Sequence, residues 1–78
     1  MTVTVRLWAG VKEAAGRDAV QVEGGTVAAV RDALAATLPA LAPRLRYCRF
    51  AVDDAFVPPE TPLSPGATLD VIPPVSGG

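Results

Sequence analysis

Apolar and polar positions alternate from the start of the chain, where Val3, Val5 and Leu7 interleave with Thr4, Arg6 and Trp8. A period of two predicts a strand with one buried face, because successive side chains of extended backbone point to opposite sides. Trp8 belongs to the outward set. Val11 to Ala15 reads as a short helix that Gly16 ends, since glycine accepts the left-handed conformation of a helix C-terminus. Alternation resumes in Ala19-Val20-Gln21-Val22-Glu23 and stops at the Gly24-Gly25 turn.

The spacing then lengthens. Val27, Val30, Leu34, Leu38 and Leu41 follow one another at steps of three and four, one apolar stripe of a helix, with Thr26 placed to cap it. Pro39 and Pro43 predict an end near Leu38, with Leu41 and Leu45 packing from a looser turn. Cys48, Phe50 and Val52 return to alternation against Arg49 and Ala51. The Asp53-Asp54 pair predicts a reversal into Ala55-Phe56-Val57, and so a hairpin. Pro58, Pro59 and Pro62 predict an irregular loop, and Ser64-Pro65-Gly66 a tight turn into a last strand from Ala67 to Ile72. In that strand Leu69 and Val71 face inward, while Thr68, Asp70 and Ile72 face outward. The order ββαβββ predicts an α+β fold, a mixed sheet with one main helix packed across it.

Composition narrows the function. The chain has 78 residues, half of them hydrophobic and 19% charged, which is too apolar for disorder and too interrupted for a membrane span. A net charge of -1 leaves no overall footprint for nucleic acid or anionic lipid. The first residues enter a strand pattern and lack the apolar run of a signal peptide, so a cytoplasmic protein is expected. One cysteine and no histidine argue against an internal disulfide, a metal site or Cys-His chemistry. Cys48, alternating with Phe50 and Val52, is expected to be a buried structural thiol. Arg44, Arg46 and Arg49 form a local basic cluster suited to an acidic partner surface.

After Ile72 the chain reads Pro73-Pro74-Val75-Ser76-Gly77-Gly78. The two prolines fix φ and favour an extended exit, which lowers the entropy lost when a partner grips the tail. Six extended residues reach roughly 20 Å. Gly77 and Gly78 lack Cβ atoms and fit a narrow channel, where the terminal carboxylate arrives with no side chain beside it. A free carboxylate is a poor acyl electrophile, so chemistry at this end must begin with activation, for example as a mixed anhydride with AMP. The expected division is a domain over residues 1–72 and an extended tail over 73–78.

This ending, after this order of elements, resembles the small subunit of molybdopterin synthase, a MoaD-like member of the MoaD/ThiS ubiquitin-like sulfur carriers. The resemblance covers the whole chain, and the proline pair, Val75 and the diglycine are its most specific part. It implies a ubiquitin-like β-grasp domain that binds no cofactor itself and is not catalytic alone. A MoeB-like activating enzyme would use ATP to adenylate Gly78, and sulfur from a donor protein would convert it to a thiocarboxylate. A MoaE-like large subunit, in a heterotetramer of two small and two large chains, would then receive the tail, Pro73 to Gly77 lying in its channel. There the sulfur would attack a cyclic pterin precursor in molybdenum cofactor biosynthesis. The docking patch of such proteins falls here on Trp8, Phe56 and Ile72. Family members often have asparagine in the hairpin turn and phenylalanine in the first strand, where this chain has Asp53 and Trp8. Three other readings stay open at this level: a ThiS-like carrier for thiamine thiazole synthesis, a ubiquitin-like protein modifier, and an interaction domain with an inert tail. The Pro73-Pro74 pair argues against the first.

Overall fold

The first strand, β1 (Thr2–Leu7), lies inside a five-stranded sheet and owes its position to the alternation noted above: Val3, Val5 and Leu7 are buried to within 1% of full. This computed structural model describes residues 2–74. Strands β2 (Ala19–Glu23), β3 (Arg49–Val52), β4 (Ala55–Phe56) and β5 (Thr68–Ile72) complete the sheet in the order β2-β1-β5-β3-β4. The pairing of β1 with β5 is parallel and the rest antiparallel, which makes the sheet mixed as expected.

The short helix α1 spans Ala9–Ala15, two residues earlier than expected, and ends at Gly16 (φ 73), whose backbone N–H donates to Lys12 O. Trp8 is correspondingly not in β1 but caps α1 in extended conformation, still on the outward side.

Helix α2 (Val27–Thr37) crosses the inner face and buries Val27, Val30 and Leu34, the first members of the predicted stripe. Thr26 caps it, its hydroxyl oxygen accepting from the Ala29 amide at 3.1 Å. The two amides before that are taken by the proline-rich loop: Val27 N donates to Thr61 O at 3.0 Å and Ala28 N to Pro59 O at 2.8 Å. So the loop read as irregular has a definite task, satisfying helix donors that would otherwise lack partners. It also inserts Leu63, 5% exposed, into the core. Gly24 sits where a Cβ would come within 2.6 Å of Val30 Cγ2, so only glycine allows the turn to approach the helix this closely.

Beyond Leu38, Pro39–Leu41 form a 3-10 turn and Ala42–Leu45 a short helix, α3, which bury Leu41 and Leu45. The looser packing predicted for these leucines is therefore regular turn structure. Cys48 lies just before β3, half-buried rather than in the core, and its thiol donates to Arg44 O at 3.3 Å. Burial pushes that thiol up, against a smaller downward pull from Arg44. The Asp53-Asp54 reversal is tight, both residues at positive φ (51 and 66), the conformation of a two-residue hairpin turn.

Candidate functional site

Among the described residues no helix covers the outer face of the sheet, and the residues there follow from register. Arg6 on β1 is opposite Asp70 on β5, Asp70 is opposite Ala51 on β3, and Ala51 is opposite Phe56 on β4. One row therefore runs across four strands. In the adjoining row Ile72 is opposite Arg49.

Parity assigns Asp70 to the outward face, and it is there, but only 7% exposed. Its carboxylate accepts from Arg6 Nε at 2.6 Å, from Arg6 Nη2 at 3.2 Å and from Trp8 Nε1 at 3.1 Å. The Arg6 bonds, helped by Trp8, hold the Asp70 carboxyl below the usual carboxylate range although burial pushes it the other way, and Asp70 in turn raises Arg6. The Arg6 guanidinium carbon also lies 5.2 Å from the Trp8 ring centroid. Thus Trp8 is pinned at its polar edge while the residue stays 45% exposed.

Phe56 is 52% exposed and carries the Arg49 guanidinium 3.6 Å from its ring centroid. Trp8, Phe56 and Ile72 border one shallow concavity, floored by Ala51 and Asp70. The fold thus gathers all three residues of the expected patch. A second groove adjoins it: Trp8 and Ile72 are shared, and Tyr47, Cys48, Pro73 and Pro74 complete its wall. Pro73 and Pro74 leave β5 at that groove. Val75, Ser76, Gly77 and Gly78 lie outside the described residues.

Arg6, Asp70 and Tyr47 are not among the expected site residues. Strand parity puts Asp70 beside Ile72, but nothing local marks Arg6, 64 residues away, as its partner. Tyr47, 66% exposed, precedes the strand pattern and carries no periodic signal. Among the described residues no cluster of acidic or cysteine side chains could hold a metal ion, and no helix is long and apolar enough to cross a membrane.

Comparison with known proteins agrees with this geometry. The model of the ThiS family matches residues 5–78. A comparison with curated proteins finds no match. Among solved structures, SAMP1 from Haloferax volcanii superposes with a TM-score of 0.90 at 27% identity, covering 100% of both chains. A chain of the BexX/CysO complex of Amycolatopsis orientalis gives 0.83 at 26% identity, over 97% of this chain and 99% of the other. A chain from the complex of subunits 1 and 2 of the molybdopterin-converting factor of Helicobacter pylori gives 0.75 at 25%, covering 100% of both. The architecture is that of the ubiquitin-like β-grasp carriers, and two of these relatives are seen in complexes.

Proposed function

This chain belongs to the ThiS family, and we propose that within it the protein is the sulfur-carrying small subunit of a molybdopterin synthase. The observation that carries the reading is the placement of the tail: Pro73-Pro74 leave β5 directly beside the exposed Trp8 and half-buried Ile72, so a protein that grips the patch meets the tail at its root.

In this reading an activating enzyme brings ATP to the Gly78 carboxylate. A carboxylate oxygen attacks the α-phosphorus, pyrophosphate leaves, and the resulting acyl adenylate is open to a sulfur nucleophile from a donor protein. A persulfide sulfur of the donor displaces AMP to give an acyl disulfide, and a reducing thiol then takes the donor's sulfur in a new disulfide, leaving a thiocarboxylate at Gly78. The chain then contributes three things: a narrow glycine terminus, a stiff proline base and a docking face, Trp8, Phe56 and Ile72, that orients the whole. A larger subunit supplies the groups that hold the pterin and move protons. The likeness to subunit 1 of the Helicobacter factor supports that partner.

A second reading has its own support. The Haloferax relative of TM-score 0.90 is a small archaeal modifier protein, and an activated diglycine end joined to lysine amines would make this chain a modifier as well. Co-expression with an activating enzyme, followed by intact-mass measurement, separates the two. Exchange of one oxygen for sulfur supports the carrier. Conjugates at lysines support the modifier, and a chain that neither changes mass nor promotes ATP-pyrophosphate exchange overturns both. Copurification with a MoaE-like subunit, against a thiazole synthase, then distinguishes molybdopterin from thiamine chemistry.

A further inference from the structure

Arg44, Arg46 and Arg49, close together in sequence, emerge from the fold as a positive rim. All three are exposed, and none pairs with a carboxylate among the described residues. Arg44 stands on the groove that holds the root of the tail, and Arg46 and Arg49 stand with Arg31 on a cleft across the 44–49 segment. Among the described residues no acidic side chain lines either depression, although Asp32 pairs with Arg31 at 3.4 Å and the chain as a whole carries a net charge of -1.

Two of these guanidiniums are already set in place. Arg49 lies 3.6 Å from the Phe56 ring centroid and Arg46 6.0 Å from that of Tyr47. Stacking of this kind restricts the side chain while leaving the N–H fork free at its edge, so less entropy is lost when a carboxylate is bound in two-pronged fashion. Beside Arg44 the groove is largely apolar, lined by Trp8, Tyr47, Ile72 and the tail's own prolines, and it shares Cys48 with the cleft of Arg46 and Arg49. Charge and shape together fit an acidic stretch of protein with an apolar side chain in it.

We propose that this groove docks an acidic segment of the protein that receives the tail, one large apolar side chain sitting between Trp8, Tyr47 and Ile72 and its carboxylates reaching Arg44, Arg46 and Arg49. Since Pro73 and Pro74 form one wall, the occupant runs beside the tail. The inference rests on delivery of the tail to a second protein, and on nothing about the chemistry the tail undergoes there.

The test uses the whole chain and a labelled peptide in which glutamates flank a single phenylalanine, with binding read by fluorescence anisotropy and mapped by amide chemical shifts. Binding is expected to weaken as salt rises, and to shift the amides of Trp8, Tyr47 and Ile72. Arg44→Glu and Arg46→Glu should each weaken it about fivefold or more. Arg17→Glu makes the same change in net charge but borders neither depression, and should leave affinity unchanged. Equal affinity for a peptide with glutamine in place of glutamate overturns the proposal, as does equal loss in Arg17→Glu, shifts elsewhere on the surface, or no binding. Displacement of the peptide by equimolar pyrophosphate also overturns it, since the rim would then be a polyphosphate site. A chain lacking Gly78 keeps groove binding even if the tail is never activated, so this test and the carrier reading fail independently.

Discussion

The indole Nε1 of Trp8 donates to Oδ1 of Asp70 at 3.1 Å, across the open face of the sheet, on the same carboxylate that binds Arg6. An exposed aromatic ring is thereby fixed before any partner arrives. Holding a side chain in its bound orientation removes part of the entropy lost on association, about 0.5–1.5 kcal/mol for each immobilised side chain.

Replacing Asp70 with alanine should release that ring. Trp8 is the chain's single tryptophan, so its emission is a direct readout: lower anisotropy and a red shift are expected in Asp70→Ala. Stability to urea should fall by about 1–2 kcal/mol, since two donors lose a largely buried acceptor. Asp70→Asn keeps an acceptor for the indole and should leave the emission nearer that of the native chain. Unchanged emission in the alanine variant would show that the ring is held by other contacts.

The same carboxylate makes stability depend on pH in a stated direction. Arg6 first, and Trp8 with it, hold Asp70 below its ordinary value in the folded chain, so the unfolded chain binds the proton more readily. The stabilisation is complete above the ordinary carboxylate pKa of about 3.9 and is lost as pH falls from there through the depressed folded value. Melting temperatures followed down through that range should fall more steeply for the native chain than for Asp70→Asn. Parallel curves would place the acid sensitivity elsewhere.

At Gly24 the expected effect is steric. A methyl there meets Val30 Cγ2 at 2.6 Å and the Val30 amide nitrogen at 3.0 Å, and backbone cannot step aside as a flexible side chain can. Gly24→Ala should therefore cost about 1–3 kcal/mol in urea unfolding, in the range of overpacked cores. Gly25, beside it, faces open space in the direction a Cβ would take and should tolerate alanine far better. Equal losses at the two positions would remove the close approach from the account.

This pair of glycines illustrates what sequence could and could not convey. Gly24-Gly25 reads as a turn, and a turn it is, but only the fold sets Val30 against one of the two. Strand parity likewise puts Trp8, Asp70 and Ile72 on the outward side, because alternation is a local property of extended backbone. It cannot say that Asp70 is covered, since the covering group comes from Arg6 at the other end of the chain. The loop through Pro58, Pro59 and Pro62 reads as irregular because its task falls to main-chain oxygens, which leave no mark in residue type. Arg44, Arg46 and Arg49 read as a basic cluster from sequence alone, but that Arg44 and Tyr47 stand with Ile72 on one groove depends on the 3-10 turn and α3.

For the tail, removal of Gly78 should abolish activation with no measurable loss of folding stability. ATP-pyrophosphate exchange with the activating enzyme and urea unfolding give the two readings. Native exchange by the shortened chain would end the proposed role of the terminus.

The docking face is tested by Trp8→Ala and Ile72→Asp against a MoaE-like subunit, with affinity measured calorimetrically. Trp8 contributes a half-exposed ring already fixed by Asp70, and Ile72 joins it at the rim of both depressions, next to the root of the tail. Truncating such an anchor should cost about 2 kcal/mol, roughly thirtyfold in affinity. Asp at position 72 adds a carboxylate that must be desolvated on docking, close to Asp70, and should weaken the complex at least as much. Both variants should retain cooperative unfolding, because the core strands bury Val5, Leu69 and Val71 on the opposite face. If the native chain binds and both variants bind as tightly, the subunit is gripped by the tail alone, and the outer face has some other use.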